Sequence, residues 1–185
     1  MLNCRWRQLL VRASGLFLLT SCQASPPKYQ TIQISRVISG QSVEWIDKSQ
    51  QPPVLRQGRL MGIDAPDLAQ DPWGKQAKQR LEELIGLPSK NTVSVEFEGE
   101  PDNYGRQFVY LWKEDRLLNE QLLKDGLALA SMRNASASST IAAGSNKYRE
   151  RLLRGSQYAR LMGEGIWNPQ QPMRMSPSEF RKEER

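Results

Sequence analysis

Thr92-Val93-Ser94-Val95-Glu96-Phe97 alternates polar and apolar side chains without a break. Successive side chains of a strand point to opposite faces, so a segment of this kind buries its apolar half only as part of a sheet. A looser alternation runs through residues 32–39, where Ile32, Ile34, Arg36 and Ile38 interleave with Gln33, Ser35, Val37 and Ser39. Turn chemistry joins both runs to partners. Gly40-Gln41-Ser42 returns the first onto Val43–Ile46, and Asp102-Asn103-Tyr104-Gly105-Arg106 returns the second onto Phe108–Trp112 as a hairpin. Between them, residues 47–53 read as a polar loop closed by proline, and Val54–Ile63 reads as a third strand ending at Asp64-Ala65-Pro66-Asp67.

Helical spacing fills the intervals. Ala77, Leu81, Leu84 and Ile85 fall on one face and stop around Gly86–Pro88, while Leu117–Leu123 opens a second helix that closes on Gly126. Asn146 is placed to cap a third, running to about Met162 with Tyr148, Leu152, Leu153, Ala159, Leu161 and Met162 partly on one face. Residues 134–146 are a low-complexity loop, and beyond Trp167-Asn168-Pro169 the Pro-rich polar sequence predicts a disordered tail over 169–185. Five strands with a helix between the third and fourth predict an α+β chain on a small Greek-key barrel of the OB type, which the pattern alone leaves as one of several arrangements. At 185 residues the chain holds one such domain, expected over 32–168 as a monomer.

The N-terminal stretch belongs to a different class. Arg5, Arg7 and Arg12 precede the apolar run Ala13-Ser14-Gly15-Leu16-Phe17-Leu18-Leu19, and Thr20-Ser21-Cys22 follow, the layout of a secretory leader over 1–21. The apolar run is far shorter than the roughly 18 to 20 residues of a membrane span. Leu19-Thr20-Ser21-Cys22 resembles the bacterial lipobox, which implies lipid attachment at Cys22, a 22–31 spacer and an exported, membrane-anchored domain. Cys4 then leaves with the leader and Cys22 is acylated, so the domain has no thiol for a disulfide or a metal. Three of the 26 basic groups leave too, and 23 remain against 20 acidic ones. They are unevenly spread: residues 22–132 carry 13 basic and 15 acidic groups, and residues 133–185 carry 10 and 5. A solvated basic helix face around Lys147, Arg149, Arg151, Arg154 and Arg160 is the commoner explanation for this, ahead of an anionic polymer or membrane surface.

The chain has no histidine, which removes Ser-His and Cys-His nucleophile systems, histidine-bound zinc and an imidazole base. Chemistry here runs on carboxylates, arginine, lysine, tyrosine or a hard metal ion. Two blocks concentrate those groups: Arg59-Leu60-Met61-Gly62-Ile63-Asp64-Ala65-Pro66-Asp67, and Asp102-Asn103-Tyr104-Gly105-Arg106. In order and spacing, with the Asn119-Glu120 to Gly126 helix and a final Gly165-Ile166-Trp167, they resemble the staphylococcal nuclease (thermonuclease-like) family over about 134 residues from Ile34 to Trp167.

The resemblance implies a five-stranded OB barrel with three helices and a Ca2+-dependent phosphodiesterase site acting on DNA or RNA. Position by position, it makes Arg59 and Arg106 the phosphate clamp and Asp67 the base, where the family has glutamate. Asp64, with the Ala65 carbonyl and Gln41, is cast as the metal-ligand set, and Tyr104 borders the substrate. Three departures bear on activity. Gln41 stands where the family has a metal-binding aspartate, Asp67 is one methylene short, and Met132 and Asn134 stand near the family's stacking tyrosines. The expectation is therefore an exported nuclease with a weakened Ca2+ site, or alternatively a non-catalytic OB-fold lipoprotein that binds nucleic acid or another anion.

Overall fold

The computed structural model describes residues 29–131 and 147–184. The leader, Cys22, most of the spacer, Met132, Asn134 and Asn146 lie outside the described residues. In chain order the elements are β1 (Gln30–Ser39), β2 (Ser42–Asp47), β3 (Val54–Leu60), β4 (Ile63–Asp64), α1 (Trp73–Ile85), β5 (Thr92–Glu98), β6 (Gln107–Lys113), β7 (Arg116–Leu117), α2 (Leu118–Lys124), β8 (Leu129–Ala130), α3 (Arg149–Met162), a 3-10 turn (Gly165–Trp167) and α4 (Pro177–Glu183).

Five long strands form a closed barrel. β3, β2, β1, β5 and β6 pair antiparallel in that order, and β3 then meets β6 in parallel, with Gly58, Arg59 and Leu60 beside Gln107, Phe108 and Val109. Among the described residues, closure leaves no long sheet edge open to another chain. This is the expected α+β, OB-type architecture, with four α-helices among the described residues where three were expected.

The imperfect alternation of β1 has a structural cause. The register slips between Ile34 and Arg36 and again between Val37 and Ser39, so two β1 residues oppose one on β2. Each such bulge flips the inward face. Ile32 and Ile34 point into the core before the first slip and Val37 after it, which leaves Arg36 outside on Glu44. Val43, Trp45, Leu60, Val93, Val95, Val109 and Leu111 complete the barrel interior. Against β1 lies α1, whose buried Trp73, Ala77, Leu81 and Ile85 recur every four residues.

The strand expected to run unbroken over Val54–Ile63 is interrupted. Met61-Gly62 turns the backbone, and Gly62 holds φ at +78°, where a side chain would be strained and would collide with Leu152. The chain therefore leaves the barrel after Leu60, and the short β4 pairs with β8 instead, Ile63 beside Ala130 and Asp64 beside Leu129. That turn carries Asp64 back over the barrel mouth.

Much of the basic run on the third helix is bonded to the protein itself. Lys147 and the Tyr148 hydroxyl take the buried carboxylate of Glu96, and Arg151 takes that of Glu120 while lying 5.2 Å over the Trp112 ring. Arg160 stacks 4.3 Å over Trp167. Buried carboxylates need such partners, so α3 is fastened to β5 and α2 by charge as well as by Leu152.

The disordered tail expected over 169–185 is corrected by α4. Ser176 accepts from the Glu179 N–H while Glu179 reaches back to the Ser176 N–H, a reciprocal cap with Pro177 in the first turn. Those bonds satisfy the backbone that a polar, Pro-rich segment otherwise leaves to water.

Asn119 has no exposed surface and spends its amide on three strand positions. Its Oδ1 accepts from the Leu111 N–H at 3.1 Å, and its Nδ2 donates to Met61 O at 2.9 Å and Val109 O at 3.3 Å. It thus ties α2 to β6 and to the exit of β3. Asn119→Ala strands the Leu111 N–H and the Met61 carbonyl, while the Val109 carbonyl keeps the Met61 N–H. We expect a loss of about 2 to 6 kcal/mol in urea unfolding, since each unsatisfied buried group costs roughly 1 to 3. A loss under 0.5, on the order of an ordinary surface change, would show that another group takes over these bonds.

Candidate functional site

The parallel seam between β3 and β6 puts Arg59 opposite Phe108, two residues after Arg106. Arg59 is the sixth of seven residues in β3 at the barrel rim, its side chain 24% exposed. Burial is the main influence lowering its pKa from the ordinary arginine value. Arg106 adds to that effect by repulsion and Asp64 opposes it, with Arg181 and Asp102 also within electrostatic reach. Three guanidinium groups and two carboxylates therefore share one rim, with a net positive charge of one.

Arg106 is held by the hairpin turn that precedes β6. Asp102 Oδ2 accepts from Arg106 Nε at 2.8 Å and pairs with Nη2 at 2.6 Å, while Oδ1 accepts the backbone N–H groups of Tyr104 and Arg106 at 3.0 Å each. Gly105 sits at φ +75°, which lets the turn close this tightly. Tyr104, 78% exposed, places its ring 5.2 Å from the Arg106 guanidinium. The predicted Arg59, Arg106 and Tyr104 thus lie along one rim.

The predicted oxygen donors are arranged differently. Asp64, its side chain 13% exposed, turns Oδ1 to Arg59 at 3.7 Å and to Arg181 at 2.6 Å. Gln41 is buried in the β1–β2 turn, and its Oε1 accepts the Ala65 N–H at 3.0 Å. Gly40 permits that approach, because a Cβ there would sit 3.0 Å from that of Ala65 and closer still to that of Ala77. Asp67 accepts the Ala69 N–H at 3.1 Å, and its own N–H donates to Gln70 Oε1 at 3.0 Å. Its recorded bonds are those of a turn leading into α1.

A calcium ion takes about 6 to 8 oxygen ligands, several of them anionic. Here one carboxylate is shared by two guanidinium groups and the neutral Gln41 oxygen is committed to a backbone N–H. Among the described residues no three acidic, histidine or cysteine side chains converge as a metal would require. As arranged, these residues do not fit a calcium site, whereas the arginines fit an anion. Two cavities of about 490 Å3 lie elsewhere, one lined by Gln30, Ile34, Trp45 and Asn91 and the other by Gln121, Asp125, Tyr158 and Glu164.

Two contributors were missed from sequence. Arg181 on α4 bonds Asp64, and Gln70 joins the Asp67 loop to the Met175 carbonyl at 3.1 Å. The Ser176-Pro177-Ser178-Glu179 signature announces the helix, but no local pattern announces a contact across 117 residues.

The family described as staphylococcal nuclease homologue matches residues 57–169, which hold Arg59, Asp64, Asp67 and Arg106 but neither Gln41 nor Arg181. A thermonuclease of Staphylococcus hyicus is 28% identical over 145 residues, covering 75% of this chain and 76% of the relative. Another thermonuclease, from Staphylococcus intermedius, is 34% identical over 103 residues, 52% of this chain and 57% of the relative. Endonuclease YncB of Bacillus subtilis is 27% identical over 108 residues, 55% and 48% respectively. The matches thus span only about half the length of these last two relatives.

The pH dependence of this rim follows from Asp102. Burial raises its pKa, but the Arg106 side chain and the backbone N–H groups of Arg106 and Tyr104 outweigh it, and the net shift is downward from 3.8. A lowered carboxylate contributes stability above its unfolded value and loses it as the pH falls through the folded one. The stability gap between wild type and Asp102→Asn should be constant above about pH 5 and shrink below about pH 4. Thermal unfolding across that range checks this; a gap that widens on acidification contradicts it.

Proposed function

The chain belongs to the staphylococcal nuclease family, and on that premise we propose that it binds the phosphodiester backbone of DNA or RNA between Arg59 and Arg106 and hydrolyses it slowly. The observation that carries this reading is the partly desolvated Arg59 held within electrostatic reach of Arg106 by the β3–β6 seam. Guanidinium forks match phosphoryl oxygens in shape and charge, and away from bulk water they stabilise the charge that grows on those oxygens during displacement. Asp102 fixes the orientation of Arg106, and the open Tyr104 ring offers a face to a sugar or base.

Asp67 is the group we assign to the attacking water. Its short side chain and its bond to the Ala69 N–H favour a slow reaction, since a base must lie within hydrogen-bond reach of the proton it takes. Gln41 brings no charge, and its amide oxygen is spent on Ala65. We assign no step to a metal ion. The same engagement of Asp67 and Gln41 favours a second reading, a binder that keeps the arginine clamp without hydrolysis.

Cleavage of single-stranded DNA and RNA by wild type, Arg59→Ala and Arg106→Ala separates the two. Loss of either arginine should lower cleavage by about 100-fold or more, as loss of one preorganised transition-state donor does. Equal trace activity in all three would end the nuclease reading, and binding that depends on both arginines without turnover would establish the binder. We further propose that the domain is exported and tethered by lipid at Cys22, on the leader pattern of residues 5–22. Cys22→Ser should move the protein from the membrane to the soluble fraction, and unchanged membrane association would refute the tether.

A further inference from the structure

The cation beside Asp64 comes from the protein. Arg181 Nη2 lies 2.6 Å from Asp64 Oδ1, the oxygen that also faces Arg59 at 3.7 Å. Three features fix it there. The Ser176–Glu179 cap sets the start of α4, Pro177 is buried, and Gln70 joins the approach to α4, at the Met175 carbonyl, to the N–H of Asp67. Gln70 is itself buried, so the two segments are held by one side chain shielded from water.

A guanidinium and a divalent ion compete for the same carboxylate. With Arg181 in place, Asp64 is neutralised and the rim carries three guanidinium groups against two carboxylates, a field that repels a dication and attracts an anion. Arginine has five donors and cannot be discharged at ordinary pH, and the Arg181 side chain remains about one-third exposed. It can therefore hold Asp64 and still donate to a phosphate oxygen.

We propose that Arg181 is the resident cation of this site and its third anion-binding group, and that it makes phosphodiester binding independent of divalent metal. The inference rests on the reading of the Arg59–Arg106 cleft as a phosphodiester site. It places a binding residue on α4, outside the segment that matches the family.

The test uses the full chain and a fluorescein-labelled oligothymidylate followed by anisotropy, in chelator and in millimolar calcium, with calcium uptake measured separately by calorimetry. Wild type should bind the oligonucleotide equally in both and take up no calcium. Arg181→Gln should weaken binding in chelator by about 10-fold, the scale of one lost charge-assisted contact, and should gain calcium uptake as Asp64 is freed. Arg181→Lys keeps the charge but not the five-donor fork and should bind between wild type and Arg181→Gln, and near-ultraviolet circular dichroism confirms that each variant is folded. Calcium-dependent binding or calcium uptake by wild type would overturn the inference. So would an Arg181→Gln variant that binds as well as or better than wild type, since Arg181 would then be a bystander or a cover. Those results leave the cleft reading standing. Absence of binding by wild type under both conditions would remove the cleft reading and this inference with it.

Discussion

The seam between β3 and β6 is the contact on which this structure turns. It joins strands about fifty positions apart, closes the barrel, and makes neighbours of two arginines that occupy separate sequence blocks. Backbone hydrogen bonds supply the pairing, and Asn119 secures its exit by bonding Met61 on one side and Leu111 and Val109 on the other. Without that buried amide, α2 would lose its polar anchor on the strands and keep its charge pairs only to the other helices. The position of Asp64 follows as well, because the turn at Gly62 begins where the seam ends.

Charge is used in two ways. Around α3 it is structural: Glu96 and Glu120 are buried, and Lys147, Tyr148, Arg151 and Lys124 satisfy them. Net basicity of the final third of the chain is thus a poor guide to its partners, since several of those cations are already taken. At the barrel rim the balance differs. Three guanidinium groups exceed two carboxylates, and one of the three is partly desolvated, so the surplus is small in number and large in effect.

Local patterns made most of the barrel legible. The alternation of Thr92–Phe97, the Asp102–Arg106 turn and the four-residue stripe of α1 each report a local period, and local period is what a sequence displays. The bulges in β1 were visible only as an irregularity, because a slipped register moves the apolar side from even to odd positions without any marker residue. The break at Gly62 was missed for a related reason: a single glycine in an apolar run reads equally as strand or turn. For the site, sequence blocks located Arg59, Asp64, Asp67 and Arg106 but not their bonding. Whether Asp67 faces a cleft or its own loop depends on Gln70 and Ala69, and whether Asp64 is open depends on Arg181.

The two halves of the rim belong to regions of different robustness. Arg59 and Arg106 stand on the closed barrel and are released only when it opens as a whole, an event that contacts so distant in sequence make cooperative and slow to reverse. Arg181 stands on a seven-residue helix attached through its cap, Gln70 and Asp64, a unit small enough to open alone at much lower free energy. Amide exchange should accordingly resolve two opening events, and in the smaller one the Asp64 carboxylate would exchange two guanidinium neighbours for Arg59 alone while the barrel remains folded.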